Sequence, residues 1–379
     1  MTTSRAVWIG TYPAAGAGSL AGLGEGIWRV ELGDIVAGAV GPSVGATLAV
    51  TTPAPSFLAA HPSGRVLYAV GEQAAGTVTA FAAGSDGRLG ALAVVSSGGA
   101  DPCHLLLAPD ARTLYVTNYS SGSVGVLPLD ADGAFTRATI VAGGPVQVLA
   151  HTGSGPDPER QEAPHAHSAA FAPGGWHLLV ADLGTDELRR YRVLPDGSLE
   201  PDGVAATLPP GTGPRHLVAI ADDAGRLPDG RIYLVGELDS TVRVLRWDGA
   251  TATATLLQTL PATTTRATTE PPSVTQPPCL PAHLVLDADR LLVSIRGADV
   301  ISTFAVDPRS GLLTAAGEVP TDGAWPRHFA LLDGVCLVAH QRSGTVGTLV
   351  PRGADGQRRP GDRAAVVHQI PAPACILPA

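Results

Sequence analysis

The sequence predicts an all-β protein, a seven-bladed β-propeller of four-stranded antiparallel blades. Three observations predict it. One three-strand pattern recurs seven times along the 379 residues. Its spacing of roughly 50 residues, built from short strands, is typical of propeller blades. The one strand that the first copy lacks is found at the C-terminus.

Each copy of the pattern contains three strands. The first is an apolar run opening on Pro, with copies beginning near Pro55, Pro102, Pro164, Pro214, Pro281, Pro326 and Pro373. The second is an apolar run ending in polar residues, with copies at 8–12, 67–72, 114–119, 178–183, 232–237, 291–296 and 336–341. The third alternates apolar with polar residues, as half-buried strands do, and starts near Gly26, Gly76, Gly122, Asp186, Ser240, Asp299 and Gly344.

The strand order also predicts how the ring closes. The chain opens on a second strand, Trp8-Ile9-Gly10-Thr11-Tyr12, and ends on a first strand, Pro373-Ala374-Cys375-Ile376. Both terminal strands therefore belong to one blade. Their pairing removes the sheet edges that an open array would expose.

Composition and charge exclude several classes of protein. The repeat runs from end to end, so we expect a single domain over residues 1–379. The N-terminus lacks an apolar signal core, and no run of about 20 apolar residues exists, so we expect a cytoplasmic protein without a membrane partner. A net charge of -9 argues against nucleic acid as a partner. All 25 basic residues are arginine, which excludes a Schiff-base lysine, and the sequence does not indicate an oligomeric state.

Four scattered cysteines lack CxxC spacing and predict neither a zinc knuckle nor a disulfide framework. Two other segments interrupt the repeat, at residues 142–163 and 251–281. Because first strands start and second strands end on one face, both insertions are expected over that face. The first carries mixed polar chemistry and is expected to be ordered. The second is rich in Thr and Pro, a composition that favours disorder.

The face where second strands end, hereafter the rim, collects polar residues that are distant in sequence. Candidate ligand-binding residues at or next to these strand ends are Glu72, Asn118, Tyr119, Asp182, Glu237, Arg296, His340 and Gln341. The starts of first strands add His165, Arg215 and Arg327. Several arginines with two glutamates suit a small anionic ligand held by charge-assisted hydrogen bonds.

Histidine recurs at the start of the first strands. Alignment of the copies puts five at one position, with Phe57 and Cys375 completing the ring: His104, His167, His216, His283 and His328. A residue type shared by blades whose rims differ indicates packing, which we expect for His104, His283 and His328. His165 lies two residues before His167, so both point to one side of an extended chain. Proton transfer, metal binding and a structural role remain open for this pair, although the rim lacks further metal ligands.

Four runs of sequence resemble the β-propeller lactonase family, which includes bacterial 6-phosphogluconolactonases and fungal 3-carboxy-cis,cis-muconate lactonising enzymes. The longest is His151-Thr-Gly-Ser-Gly-Pro-Asp-Pro-Glu-Arg-Gln-Glu-Ala-Pro-His165-Ala-His167-Ser168. The others are the run beginning at Pro55, the run Gly213-Pro-Arg-His216 and the C-terminal Pro-Ala-Pro-Ala-Cys-Ile. The resemblance covers essentially the whole chain.

The resemblance implies a site without metal or cofactor, formed by His165 or His167, Arg215, Glu237 and Arg296. Lactone hydrolysis needs a base for water, a donor for the oxyanion and an acid for the leaving alkoxide. An imidazole would take the water proton, and Glu237 would orient it or act as the alternate acid or base. Arg215 and Arg296 would hold the anion and the oxyanion. Gly236 and Ile295 stand where the family usually has Asn, which affects substrate choice more than chemistry.

We therefore expect a lactonase acting on a small anionic sugar-acid lactone, with 6-phosphogluconolactone the leading candidate because of the resemblance. Arg327, Glu72, Asn118, Tyr119, Asp182, His340 and Gln341 would bind the substrate. One alternative is a cycloisomerase that forms or opens a muconate-type lactone. Another is a non-catalytic propeller that binds a protein or peptide on its rim, in which Arg215 and Glu237 form an ordinary ion pair.

Overall fold

Seven four-stranded antiparallel sheets form a β-propeller, which confirms the predicted all-β fold class. The computed structural model describes residues 5–12, 26–32, 35–36, 39–40, 45–220, 229–265, 279–349 and 365–379. These residues contain one helix, α1 (Arg137–Ala142), which precedes the fourth strand of the third blade.

The strands in chain order are β1 (Arg5–Thr11), β2 (Ile27–Leu32), β3 (Ile35–Val36), β4 (Ala39–Val40), β5 (Gly45–Val50), β6 (Leu58–Ala60), β7 (Val66–Gly71), β8 (Thr77–Ala83), β9 (Leu89–Ser96), β10 (Pro102–Leu107), β11 (Thr113–Asn118), β12 (Ser123–Pro128), β13 (Gln147–Ala150), β14 (Ala166–Phe171), β15 (His177–Asp182), β16 (Glu187–Val193), β17 (Leu199–Thr207), β18 (Pro214–Ile220), β19 (Arg231–Gly236), β20 (Thr241–Asp248), β21 (Thr253–Pro261), β22 (Leu280–Asp287), β23 (Arg290–Arg296), β24 (Val300–Val306), β25 (Leu313–Pro320), β26 (Pro326–Leu332), β27 (Val335–His340), β28 (Thr345–Leu349), β29 (Ala365–Gln369) and β30 (Pro373–Pro378). Blade 1 has the order β30-β1-β2-β5, and β3 pairs with β4 as a short hairpin. Blades 2 to 7 are β6–β9, β10–β13, β14–β17, β18–β21, β22–β25 and β26–β29, each in sequential order.

The ring closes as the sequence predicts. Strand β30 pairs antiparallel with β1, with Ile376 opposite Ile9 and Pro378 opposite Val7. The first strand of blade 1 is thus supplied by the C-terminus. The side chains of Ile9 and Ile376 are buried in one hydrophobic cluster, which adds apolar burial to the backbone pairing.

Three equivalent tyrosines tie neighbouring blades together. Tyr68, Tyr115 and Tyr233 each lie four residues before the rim residue of their blade and are almost fully buried. Tyr115 donates its hydroxyl hydrogen bond to the carbonyl of Gly197, at 2.8 Å, and Tyr233 donates to that of Gly311, at 2.9 Å. Each acceptor lies in a tight turn of the next blade, so the blade contact is both apolar and hydrogen-bonded.

A β-bulge lies at the rim end of the first strand in six blades. In blade 3, Pro102 pairs with Asn118 and His104 with Thr117, so Cys103 is an extra residue. The residues where the register shifts are Cys103, His167, Arg215, Ala282, Arg327 and Ala374. A bulge re-aims side chains at the end of a strand, and here it brings two consecutive residues to the channel.

This register corrects the alignment of the histidines. In blade 4, Ala166 pairs with Asp182 and Ser168 with Ala181, so Ser168 is the counterpart of His104. His167 instead corresponds to Cys103, Arg215 and Arg327. The alignment was wrong for His167 because it set His165 opposite Pro102, one residue too early, whereas the residue paired in that position is Ala166.

The two interruptions of the repeat are shorter than predicted. The first, 142–163, includes β13, so the connection between blades 3 and 4 is residues 151–165, hereafter the insertion loop. All of it lies within the described residues. The second, 251–281, includes β21, and the remaining connection is residues 262–279. The expectation of disorder concerns mainly residues 266–278, which lie outside the described residues.

Candidate active site

Aromatic rings close the channel below the rim. We call Phe57, His104, His216, His283 and His328 the histidine layer. His283 and His328 stack with ring centroids 3.8 Å apart, and His104 meets His216 edge-on at 5.6 Å. Burial lowers the pKa of His104 and of His328 to about 3, and it holds the pKa values of His216 and His283 well below their usual range. Neutral, mutually packed rings support the expected packing role.

The channel differs on the two sides of this layer. Beyond the layer lies a cavity of ≈ 520 Å³, whose walls come from the later residues of first strands, including Leu106, Phe171 and Leu377. His104 and His328 form its floor. The rim side is instead lined by charged groups, so the channel has a polar end and an apolar end.

Glu237 is the centre of the polar end. It follows strand β19, and its side chain is only 4% exposed. One carboxylate oxygen, Oε2, lies 2.8 Å from Arg215 Nε and 2.8 Å from Arg296 Nη2. The other, Oε1, lies 2.8 Å from Arg160 Nη2. Three guanidinium groups from three parts of the chain therefore share one carboxylate.

The charges of this cluster fix its protonation state. Burial alone would raise the pKa of Glu237, but the guanidiniums of Arg296, Arg160 and Arg215 outweigh it and hold the pKa well below its usual range. Burial, together with Arg296, lowers the pKa of Arg215 to about 9, so Arg215 remains protonated at neutral pH. Glu237 is thus a permanent carboxylate there and does not carry a proton.

Backbone carbonyl groups orient two of these arginines. Arg296 donates from Nε to the carbonyl of Leu280, at 3.2 Å, and from Nη2 to that of Pro281, at 3.3 Å. Arg215 donates from Nη1 to the carbonyl of Ala282. Both guanidiniums are therefore fixed by strand β22 as well as by Glu237, which leaves little freedom in their position.

His165 and His167 both contact Tyr119, as expected for residues two apart. The His165 ring stacks on Tyr119 with centroids 4.3 Å apart, and the His167 ring meets it edge-on at 5.6 Å. His165 Nδ1 lies 3.1 Å from the Tyr119 carbonyl oxygen, and Nε2 lies 3.3 Å from Oε1 of the half-exposed Glu162. His165 therefore directs Nε2 toward a half-exposed carboxylate, although its own side chain is buried.

His167 has a more enclosed environment. Burial, reinforced by the nearby charge of Arg215, holds the pKa of His167 well below its usual range. Its Nδ1 lies 3.9 Å from the Cys103 sulfur. Burial also raises the pKa of Cys103 to about 12, so this thiol is not ionised at neutral pH and is not a nucleophile of the cysteine-histidine type.

The insertion loop is anchored at both ends, which explains how Arg160 reaches Glu237. At one end, His151 contacts Asp182 Oδ2 through Nδ1, at 2.5 Å, and the Tyr191 hydroxyl through Nε2, at 2.6 Å. At the other, Gln161 Nε2 donates to the Leu183 carbonyl and to Asp186, at 2.9 and 2.8 Å. Arg160 is adjacent to this second anchor and therefore has a fixed backbone position.

Asp182 is a scaffold residue by its contacts. Its Oδ1 accepts hydrogen bonds from the backbone N–H groups of His165 and Gly184, at 2.8 and 3.1 Å. Burial would raise the pKa of Asp182, but the hydrogen bond and charge of His151 lower it. Asp182 therefore positions His165 and the insertion loop from beneath.

The structure does not bring three of the predicted binding residues into the site. Asn118, Asp182 and His340 are fully buried between strands. Asn118 donates to the Ser97 carbonyl and to Ser123, and His340 Nδ1 lies 3.1 Å from Thr345 Oγ1. Successive side chains of a strand point to opposite faces. The rim residues that follow these three face the channel, and the three themselves do not.

A second polar group lies on the other arc of the rim, in blades 7, 1 and 2. The Arg327 guanidinium lies over the Tyr12 ring, 4.2 Å from its centroid, and Arg327 Nη1 donates to Gln341 Oε1 at 3.5 Å. Glu72 accepts hydrogen bonds from the Ser56 and Tyr12 hydroxyls. The charge of Arg327 lowers the pKa of Tyr12, but Glu72 and burial outweigh it and raise the value to about 12.

Burial also raises the pKa of Glu72, although the charge of Arg327 opposes this.

The structure brings together, on two arcs of the rim, nine of the twelve predicted site residues. Arg160 was missed. The signal for it in the sequence was an arginine within the insertion at residues 142–163, which is predicted to lie over the rim.

Two further features bear on the predicted class. In the described ranges, no group of three or more His, Cys, Asp and Glu side chains is arranged to hold a metal ion. No helix in that part of the chain is long and apolar enough to cross a membrane.

The fold and the site define a class of protein, a propeller with an arginine-rich rim around a buried glutamate. Comparison with known proteins identifies the family. Residues 6–378 match the family model described as lactonase, 7-bladed beta-propeller, and the chain belongs to this family. The predicted lactonase class is confirmed.

Individual relatives span most of the chain. It is 29% identical over 344 residues to a 6-phosphogluconolactonase of Bacillus subtilis, covering 89% of each protein. It is also 29% identical to a 6-phosphogluconolactonase of Formosa agariphila, over 77% of this chain and 79% of that protein. The structure of a periplasmic gluconolactonase of Pseudomonas aeruginosa superposes with a TM-score of 0.80 at 30% identity and 99% coverage of both chains.

Proposed function

We propose that this protein hydrolyses the lactone of a small anionic sugar acid at the rim, with 6-phosphogluconolactone as the leading substrate. The observation that carries the proposal is the carboxylate of Glu237 held by Arg160, Arg215 and Arg296, with Tyr119 contacting both Arg160 and His165. The names of two relatives support the phosphorylated lactone. A cytoplasmic location is part of the proposal, although one similar structure is a periplasmic enzyme.

His165 is the proposed base. Its Nε2 faces the half-exposed Glu162, which is free to move away when substrate enters, whereas His167 is enclosed by Cys103 and Tyr119. Nδ1 donates to the Tyr119 carbonyl, which leaves Nε2 of the neutral ring as the proton acceptor. His167 then packs beneath the site and supports Tyr119.

The arginines around Glu237 are the proposed oxyanion stabilisers. Each guanidinium has five N–H groups, more than Glu237 and the backbone carbonyls accept. Three positive charges also exceed the single carboxylate charge, so a developing oxyanion is stabilised electrostatically in a buried site. Glu237 fixes these guanidiniums and is not the alternate acid or base, because its pKa is too low.

The reaction then follows in two stages. His165 Nε2 takes a proton from water as the water oxygen attacks the lactone carbonyl carbon, and the carbonyl oxygen becomes an oxyanion facing the arginines. The ring C–O bond breaks next, and the imidazolium returns its proton to the leaving alkoxide. The product is the open hydroxy acid.

The test is hydrolysis of 6-phosphogluconolactone by purified protein in the presence of a chelator, followed by base uptake at constant pH. We expect rates above the spontaneous rate, with losses of roughly 100-fold or more in kcat for His165→Asn and Glu237→Gln. Glu200→Gln, an exposed carboxylate paired with Arg192, is the matched control. Absence of turnover with any sugar-acid lactone would overturn the proposal, and turnover of a muconate lactone alone would favour the cycloisomerase.

A further inference from the structure

Arg327 differs from the other rim arginines in its partners. Arg160, Arg215 and Arg296 all contact the Glu237 carboxylate within 2.8 Å. Among the described residues, Arg327 forms no such ion pair, and its hydrogen bond to Gln341 is long, at 3.5 Å. A guanidinium has five donors in a fixed fork, so most of the donors of Arg327 are available to a ligand.

Gln341 provides a second, independent observation. It is 2% exposed, and its Nε2 is buried without a hydrogen-bond partner in the described part of the chain. Its Oε1 is turned toward Arg327, which places the amide beside the guanidinium. Buried donors almost always have a partner, and an unpaired amide next to an unpaired cation indicates an acceptor that arrives with the ligand.

The surroundings keep this cation in place without an ion pair among the described residues. The Tyr12 ring lies under the guanidinium, 4.2 Å away, and fixes its plane. The nearby carboxyl of Glu72 is engaged by the Ser56 and Tyr12 hydroxyls. A bound anion therefore meets Arg327 without displacing an ion pair of the protein.

We propose that Arg327 and Gln341 form a subsite that binds the anionic substituent of the substrate, a phosphate or a carboxylate. It lies in blade 7, whereas the Glu237 cluster that faces the lactone carbonyl comes from the insertion loop and from blades 5 and 6. This subsite rests on the proposed function, and it separates recognition of the anionic substituent from the chemistry at the lactone carbonyl. Arg327 selects anionic lactones over neutral ones, and the Glu237 cluster carries out the chemistry on both.

The test compares two lactones that differ only in the phosphate, 6-phosphogluconolactone and glucono-δ-lactone. For Arg327→Met we expect kcat/KM for the phosphorylated lactone to fall about 10- to 100-fold through KM, as for loss of a charge-assisted hydrogen bond. The neutral lactone should change less than about threefold by the same reasoning. Gln341→Met should cause a smaller loss in the same direction. Arg342→Met, which removes an exposed arginine stacked on Trp325 in the same blade, is the matched control.

A binding measurement separates this subsite from the proposed reaction. Titration with inorganic phosphate, followed by calorimetry, should show binding to the unmodified protein that Arg327→Met weakens and Arg342→Met does not. If no lactone is hydrolysed but this pattern holds, the subsite stands and the proposed function falls. Equal losses on both lactones, or phosphate binding independent of Arg327, would overturn the subsite.

Discussion

Arg160 and Glu237 form an ion pair between the insertion loop and the rim of blade 5, with 2.8 Å between Nη2 and Oε1. The same Nη2 also lies 3.5 Å from the Tyr119 hydroxyl. Of the three guanidiniums on Glu237, that of Arg160 is the most exposed, with 22% of its side chain accessible. In the proposed reaction it is therefore the guanidinium that a substrate reaches first.

Arg160→Met is expected to lower kcat for lactone hydrolysis by about 10- to 100-fold, because one charge-assisted donor for the oxyanion is lost. Steady-state kinetics on both lactones measures it, and Arg160→Lys should restore part of the rate. Arg192→Met, which removes an exposed arginine of blade 4, should leave kcat unchanged. Full activity of Arg160→Met would exclude the insertion loop from the reaction.

The blade order and the closure were predictable from the sequence because both depend on the periodicity of buried strands. The fourth strands were predicted less well. β13 and β21 were assigned to insertions, because outer strands such as β21 bury few side chains and carry a weak apolar pattern. The rim was predicted in outline because the ends of all second strands share one face.

The finer features of the site depend on register and tertiary contacts. A shift of the strand register by one residue decides whether Asn118 or Tyr119 faces the channel. The same holds for His340 and Gln341. Because of the β-bulges, His167 occupies in blade 4 the position that Arg215 and Arg327 occupy in their own blades. Arg160 is placed by the anchors of its loop, above all Gln161, and no local pattern in the sequence encodes such contacts.

The histidine layer predicts acid lability. His104, His216, His283 and His328 have lowered pKa values in the folded protein, so the unfolded chain binds more protons once the pH falls below about 6.5. Stability is therefore complete above the unfolded pKa and is lost as the pH falls toward the folded values. Each histidine contributes up to about 1.4 kcal/mol per pH unit.

Urea unfolding between pH 7.5 and 5 measures this effect. We expect the free energy of unfolding to be nearly constant above about pH 6.5 and to drop by several kcal/mol below it, at up to about 1.4 kcal/mol per pH unit for each histidine of the layer. His104→Phe should reduce the pH dependence of the free energy of unfolding by the contribution of one histidine, about 1.4 kcal/mol per pH unit. Phe57 already packs against His104, which shows that the layer accommodates a phenylalanine ring. A free energy of unfolding that does not vary between pH 7.5 and 5.5 would contradict the prediction.

The tyrosine contacts between blades give the last prediction. Tyr233→Phe removes the hydroxyl that donates to the buried Gly311 carbonyl, and Tyr115→Phe removes the one that donates to the partly buried Gly197 carbonyl. Each substitution should lower the free energy of unfolding by about 1–2 kcal/mol. The double variant should be additive within about 0.5 kcal/mol, because the two contacts share no partner.

Equilibrium unfolding in urea provides the measurement, with Trp176→Phe at a 75% exposed position of blade 4 as the control. That control should change the free energy of unfolding by less than about 0.5 kcal/mol. Unchanged stability in both tyrosine variants would show that water replaces the hydroxyl at the turn, and that the blades are held together by apolar packing and backbone pairing without these hydrogen bonds.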